Sequence, residues 1–389
     1  MASTPIPDMP YMHLVESTGE VKFSSPEVDY PLYIKALGNL TVKFNNTYEY
    51  SKDNVTWTSG TSSTSISANA GERVFFRASG LTASSSSGIG SFTISKGDCN
   101  VGGNVMSMVY GADFKGKTEI TQTYQFKMLF YSYSYQGDYN DAMRIVDASG
   151  LALPATTLAN YCYQYMFQNQ QKLTNAPALP ATTLATYCYQ YMFSGCSSLV
   201  NAPALPATTL ATYCYSYMFS NCSSLVNAPA LPATTLASSC YRYMFNYCTS
   251  LVNAPALPAT TLATYCYQYM FRGCTSLVNA PALPATRAES SCYSYMFRDC
   301  TSLVNAPEMP LTNFYGASGL VGMFYGCSNL SYINFSTVTY NFANSTYFTN
   351  WVYGVSPTGT FVKNSAATWE NTFGVSAIPE GWTVELADA

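Results

Sequence analysis

One period governs this chain. The dipeptide Leu-Pro recurs at Leu153, Leu179, Leu205, Leu231, Leu257 and Leu283, every 26 residues, and Met309-Pro310 continues the series. Six units fit without a gap. A seventh, from Met309, is one residue longer, so Met323-Phe324 falls one place late. One unit, residues 179–204, reads LPATTLATYCYQYMFSGCSSLVNAPA. Alone it would leave Leu184, Met192, Phe193, Leu199 and Leu205 in water. Only a copy above and below can bury them, so the units must stack. Upstream, Phe126-Lys127-Met128-Leu129-Phe130 matches the Tyr-x-Tyr-Met-Phe block. Its Leu129-Phe130 lies 37 residues before Met166-Phe167, which implies an 11-residue insertion around residues 131–141.

Within a unit, Leu184, Cys188, Tyr191 and Met192 fall at i, i+4, i+7 and i+8, the spacing of one helical face. Pro180 suits the start of such a helix, and Gly195 or Asn221 its end. Phe193 lies off this stripe, so the chain is expected to turn there and tuck its ring inward. Residues 199–202 then read as a strand of about two to four residues, kept short by Pro203 and Pro206, which cannot donate ladder hydrogen bonds. Seven stacked rungs would form a rod or gentle arc of roughly 35 Å. The expected fold is thus an α/β repeat solenoid with short strands and short helices, preceded by a small all-β domain.

The block Met-Phe-Ser-Gly-Cys-Ser-Ser-Leu at 192–199, followed by Leu205-Pro206, resembles the BspA-like, or Treponema-type, leucine-rich repeats. It is also similar to related repeats of bacterial surface lipoproteins. The resemblance spans residues 153–335. Thr358-Gly359-Thr360-Phe361 and Ile378-Pro379-Glu380-Gly381-Trp382-Thr383-Val384 look like the C-terminal end of such proteins from gut Bacteroidales and their phages. The segment at residues 99–107, which begins Cys99-Asn100-Val101-Gly102-Gly103, looks like the joint that precedes their repeats. The resemblance implies adhesion and protein or glycan binding, with no shared catalytic activity. Secreted members carry signal peptides, whereas residues 1–10 here have neither a basic n-region nor an apolar h-region. The expected setting is therefore a phage virion, as a fibre or decoration component. The alternative is a bacterial cell-surface or extracellular adhesin.

The flanks divide the chain further. Residues 1–27 read as a Pro-rich arm or linker, and 28–98 as a small β-sandwich. Its strands include Leu40-Thr41-Val42-Lys43-Phe44, Arg73-Val74-Phe75-Phe76-Arg77 and Ser91-Phe92-Thr93-Ile94. Residues 99–152 form a cap with the atypical repeat, 153–335 the solenoid and 336–389 a C-terminal β cap. Closing strands are expected at 359–363 and 382–386. The N-terminal region is expected to join other virion proteins, and the solenoid a host-surface protein or glycan. The chain could also self-associate.

The chemistry of the chain is sparse. Charged residues make up 10% and the net charge is −4, which gives no basic footprint for nucleic acid. Residues 173–241 carry no charge, but paired prolines and polar residues prevent them from spanning a membrane as a helix. His13 is the one histidine and sits in the arm, so a Ser-His-Asp or Cys-His arrangement has little to draw on. Asp138 and Asp141 are the candidate paired carboxylates. Their surroundings faintly resemble a calcium loop, and a solvated insertion fits them better. No cofactor and no metal site is expected.

Cysteine forms two columns, Cys162 to Cys292 and Cys196 to Cys300, with Cys327 shifted by one. A small buried filler suits them, with disulfides or metal as alternatives. Tyrosine is the other repeated feature, with 34 copies. Tyr189, Tyr215, Tyr241, Tyr267 and Tyr293 form a column off the helical stripe. Tyr187, Tyr213 and Tyr265 form another, replaced by Ser239 and Ser291 in the remaining units. Beside them a variable column holds Gln190, Ser216, Arg242 and Gln268, and the turn column holds Ser194, Ser220, Asn246, Arg272 and Arg298. These columns define a candidate binding face, because tyrosine offers rigid amphipathic contact area. A purely structural tyrosine ladder is the competing reading.

Overall fold

A computed structural model describes residues 27–131, 144–338, 346–366 and 371–387. The arm up to residue 26, His13, and the insertion with Asp138 and Asp141 lie outside the described residues.

The N-terminal part is built from two packed sheets. One has the order β4-β3-β6-β1-β8-β9, with β1 Leu32–Ala36, β3 Tyr48–Ser51, β4 Thr58–Gly60, β6 Arg73–Arg77, β8 Cys99–Asn104 and β9 Ile145–Ala152. The other has the order β5-β2-β7, with β2 Leu40–Phe44, β5 Ile66–Ala68 and β7 Phe92–Ser95. Inward residues alternate along β2, where Leu40, Val42 and Phe44 are buried. The expected boundary at residue 98 is corrected here. β8 pairs antiparallel with β1, so Cys99–Asn104 belongs to the sheet of the preceding domain. β9 then pairs parallel with β8, and Asp147 bridges to Asn175, so the same sheet runs on into the repeats.

The repeats contain no helix among the described residues, which corrects the expected short helix in each unit. The one α-helix is α1, Ser107–Tyr110, upstream of them. In residues 187–196 the backbone amides do two jobs in strict alternation. Cys188, Gln190, Met192, Ser194 and Cys196 donate to the carbonyl three residues earlier, at 3.1–3.3 Å. Tyr187, Tyr189, Tyr191, Phe193 and Gly195 donate instead to Thr212, Cys214, Ser216, Met218 and Ser220 of the next coil, at 2.8–3.1 Å. Every amide of the segment is thereby satisfied. Tight turns of this kind place every fourth residue at positive φ: Tyr187 at 58°, Tyr191 at 57° and Gly195 at 77°. A continuous α-helix cannot pass through such residues.

The same geometry sends side chains in and out in pairs. Cys188, Tyr189, Met192, Phe193 and Cys196 are buried, and Gln190 and Tyr191 reach the surface. The inward turn of Phe193 agrees with the expectation, whereas Tyr189 and Tyr191 exchange roles. The expected strand at 199–202 is reduced to a single parallel bridge, Asn201 to Asn227, with Pro203 closing it. A second bridge joins Thr183 to Thr209.

Stacking extends well past the repeat core at both ends. A column of rings runs Phe92, Phe130, Phe167, Phe193, Phe219, Phe245, Phe271, Phe297, Phe324 and Trp351, with neighbouring centroids 5.3–6.0 Å apart. Phe130 thus occupies the place of Phe167, and the coil at 346–353 continues the stack beyond residue 335. At the N-terminal end, the amides of Ile89 and Phe92 donate to the otherwise open carbonyls of Gln125 and Leu129. At the other end, Ser376 Oγ and the Val375 carbonyl accept from the amides of Asn350 and Val352. On the side of the Asn201 bridges, where Asn305 bridges to Tyr332, β10 Tyr332–Phe335, β11 Thr360–Lys363 and β12 Thr383–Leu386 form a parallel sheet, with the last two at the expected closing positions.

Candidate functional site

Three outward columns line the turn segment, and their backbone explains their chemistry. The first holds Tyr161, Tyr187 and Tyr213, then Ser239, Tyr265 and Ser291. The second runs without a break through Tyr165, Tyr191, Tyr217, Tyr243, Tyr269 and Tyr295. The third holds Asn169, Gly195, Asn221, Tyr247, Gly273 and Asp299. All sit at positive φ, which costs a side-chain-bearing residue about 1–2 kcal/mol. Stacking offsets this. Rings of the second column lie 4.3–5.0 Å apart, and the Tyr161, Tyr187 and Tyr213 rings 4.7 Å apart. In the third column glycine leaves room for its neighbour: a Cβ on Gly273 would stand 2.4 Å from the Tyr247 ring.

Five members of the candidate face do not reach solvent. Tyr189, Tyr215, Tyr241, Tyr267 and Tyr293 are at most 2% exposed and stack inside the coils at 5.6–6.0 Å, as a continuation of Phe126 and Tyr163. Burial pushes the phenols of Tyr189, Tyr267 and Tyr293 well above their ordinary value. Ser216 and Gln268 are also buried. The tyrosines turn inward because the turn repeats every four residues rather than every 3.6, whereas Ser216 and Gln268 share the column of Gln190 and Arg242 and are closed over within it. Tyr187, Tyr213, Gln190 and Arg242 remain half-buried at the surface, and Tyr265 is exposed.

The face gains the whole Tyr191 column and Tyr247, and of the turn column it keeps Arg272 and Arg298, while Ser194, Ser220 and Asn246 are buried. A Tyr-x-Tyr-x-Tyr run such as Tyr187, Tyr189 and Tyr191 could have signalled it, since alternate tyrosines cannot all share one helical stripe. The arginines lie over these rings. Arg242 stands 5.2 Å from the Tyr243 centroid and 5.7 Å from that of Tyr265. Arg272 lies 5.2 Å from Tyr247 and 5.7 Å from Tyr269, and Arg298 4.6 Å from Tyr325.

The cysteines are all free and buried. In the second column each thiol donates to a phenylalanine carbonyl of the preceding coil, as Cys222 does to Phe193 at 3.1 Å. Where the first coil has Gln170 instead, its amide takes over this bond, from Nε2 to the Phe130 carbonyl at 2.7 Å. Burial holds the Cys188, Cys266 and Cys274 thiols up at about 12, so they are poor nucleophiles. Among the described residues no three His, Cys, Asp or Glu side chains converge on a metal position, and no helix is long and apolar enough to cross a membrane.

The model of the BspA type leucine rich repeat region matches residues 160–304 and 239–353, in six copies. The repeat region belongs to this family, and the chain is a BspA-like leucine-rich-repeat protein. No curated protein and no solved structure matches the chain.

Proposed function

We propose that this chain is a non-enzymatic, adhesin-like binding protein that meets a host-surface protein or glycan through its tyrosine and arginine turn face. The observation that carries this reading is where the coils differ. The inward columns of Cys188, Tyr189, Met192 and Phe193 are the same residue in every coil from Cys162 to Phe297. Of the outward columns, that of Tyr191 is constant, while the third changes from coil to coil in the series Gly195, Asn221, Tyr247, Gly273 and Asp299. A fixed interior with a varied rim is what a recognition scaffold requires. BspA-type repeat proteins are typically extracellular or surface-associated, in keeping with this role.

The setting we favour is a phage virion, as a fibre or decoration protein joined to its neighbours through the N-terminal region. It rests on the likeness of residues 358–361 and 378–384 to the C-terminal end of such proteins from gut Bacteroidales and their phages, and mass spectrometry of purified virions tests it. The binding face is tested on the full chain with Tyr187→Ala, Tyr213→Ala and Tyr265→Ala combined, against a glycan array and intact host cells. Binding is expected to fall at least about tenfold with the circular dichroism spectrum unchanged. Unchanged binding by the folded variant would move the site elsewhere.

A further inference from the structure

Between Lys172 and Arg287 the chain has two charged residues, Arg242 and Arg272. Both lie on the turn face, in consecutive coils, with guanidinium groups over tyrosine rings. Every other described cation of the repeat region has an acid beside it. Lys172 pairs with Asp98 at 2.8 Å, Arg287 with Glu289 at 3.1 Å, and Arg298 with Asp299 at 3.2 Å. Arg242 and Arg272 pair with no acid among the described residues.

A second observation falls in the same place. Five polar atoms just beneath this patch make no hydrogen bond: Ser239 Oγ, Arg242 Nε, Asn246 Oδ1, Gln268 Oε1 and Arg272 Nε. Buried polar groups are ordinarily satisfied, so this concentration of atoms sealed from solvent marks a patch that the fold's own hydrogen bonds leave incomplete. The outer tyrosine column is also interrupted here. Ser239 stands between Tyr213 and Tyr265, so the facing sides of these rings carry no tyrosine partner, and the Arg242 guanidinium approaches Tyr265 in place of the missing ring.

From this convergence we infer that the coils around Ser239, Arg242 and Arg272 bind an acidic polysaccharide, one bearing carboxylate or sulfate groups, laid along the stack. The inference rests on the adhesin reading and names the ligand class of the same face. The two guanidinium groups call for anionic acceptors. The exposed Tyr247 and Tyr265 beside them offer phenol hydroxyls that exchange hydrogen bonds with sugar hydroxyls. The surrounding tyrosine edges, serines and amides are uncharged, so the matching partner carries hydroxyls beside its anionic groups. A peptide of acidic residues such as polyglutamate offers carboxylates without hydroxyls, and a DNA strand carries its charges on a backbone without hydroxyls, so both fit less well. Coils repeat at a fixed rise, and a polymer with a fixed repeat can meet successive coils in register. Asp299 limits the patch at one end by holding Arg298.

The test measures binding of the full chain to polygalacturonate, dextran sulfate, neutral dextran and polyglutamate by calorimetry at low and high salt. Both acidic glycans are expected to bind, more weakly as salt rises, and neutral dextran not at all. Arg242→Gln and Arg272→Ser place in each column a residue that it already holds in sister coils, Gln190 and Ser194, so the fold is retained. Each is expected to weaken acidic-glycan binding at least about tenfold. Asp299→Asn, which keeps a residue tolerant of positive φ, frees Arg298 and is expected to tighten it. Acidic-glycan binding that survives both arginine substitutions overturns the site. Polyglutamate binding as tightly as the glycans overturns the ligand class. If no acidic glycan binds while host cells still do, this inference fails and the adhesin reading stands.

Discussion

At the scale of the residue, the thiols and phenols of this chain are structural groups tuned by burial. Gln170 shows that the cysteine column is more than filler, because where cysteine is missing an amide makes the same bond to the preceding coil. Ionisation of these thiols makes stability depend on pH. In the unfolded chain a thiol titrates near 9, and in the folded chain Cys188, Cys266 and Cys274 do so at about 12. The folded state therefore binds more protons between these values. The stability is fully present below pH 9 and is lost as pH rises toward 12. At about pH 10.5 each such thiol withdraws roughly 2 kcal/mol. The urea midpoint is expected to drop sharply between pH 7.5 and about 10.5, and an equal midpoint at both would mean the thiols are not sealed.

At the scale of the element, the turn segment explains both what the sequence revealed and what it hid. The strand at Leu40–Phe44 was legible because strict alternation has no rival reading, and that at Arg73–Arg77 because a short run of Val and Phe that alternates in part suits a strand. The turn segment has one. Cys188, Met192 and Cys196 stand at i, i+4 and i+8, a subset shared by a helix and by a four-residue turn repeat. The two part company at the neighbours, where a helix buries Tyr191 and the turns bury Tyr189. No local propensity favours tyrosine at positive φ, so stacking between coils had to decide it, and that is a non-local term.

A substitution separates the two geometries cleanly. Tyr217→Ala loses contacts to Tyr191 at 4.4 Å and Tyr243 at 4.3 Å while keeping the strained backbone, and is expected to cost about 2–4 kcal/mol. Tyr217→Gly should cost about 1 kcal/mol less, since glycine adopts positive φ freely, as Gly322 does in this column at 57°. In a helix the order reverses, with glycine worse by about 1 kcal/mol. Denaturant unfolding of the pair gives the answer.

At the scale of the whole molecule, each coil sees the same neighbours, so a coil can be removed in register. Deleting residues 205–230 joins Ala204 to Leu231 and preserves every column. The shortened chain is expected to keep its circular dichroism spectrum and to shift in Tm by less than about 5 °C. Aggregation or a broad transition would show instead that the coils are not equivalent. The sheet shared by β8 and β9 was not legible from the sequence. It pairs Cys99–Asn104 with Ile145–Ala152 across a long separation, and only the assembled structure brings them together.

The alternating amides have one more consequence, which is electrical. In the turn segment the peptide groups that bond from coil to coil all point the same way, N–H toward the C-terminal end and C=O toward the N-terminal end. Each carries a dipole of about 3.5 D, and in line they add as in an α-helix, but here in parallel columns. This wall of the stack is therefore polarised along its axis, with its positive pole at the end toward Trp351. The Ile89 and Phe92 amides cap the negative pole, and Ser376 and Val375 cap the positive one. Arg242 stands in the middle coil and Arg272 and Arg298 in the half nearer the positive pole, so the field of the backbone and the charges of the side chains draw an anion toward the same end.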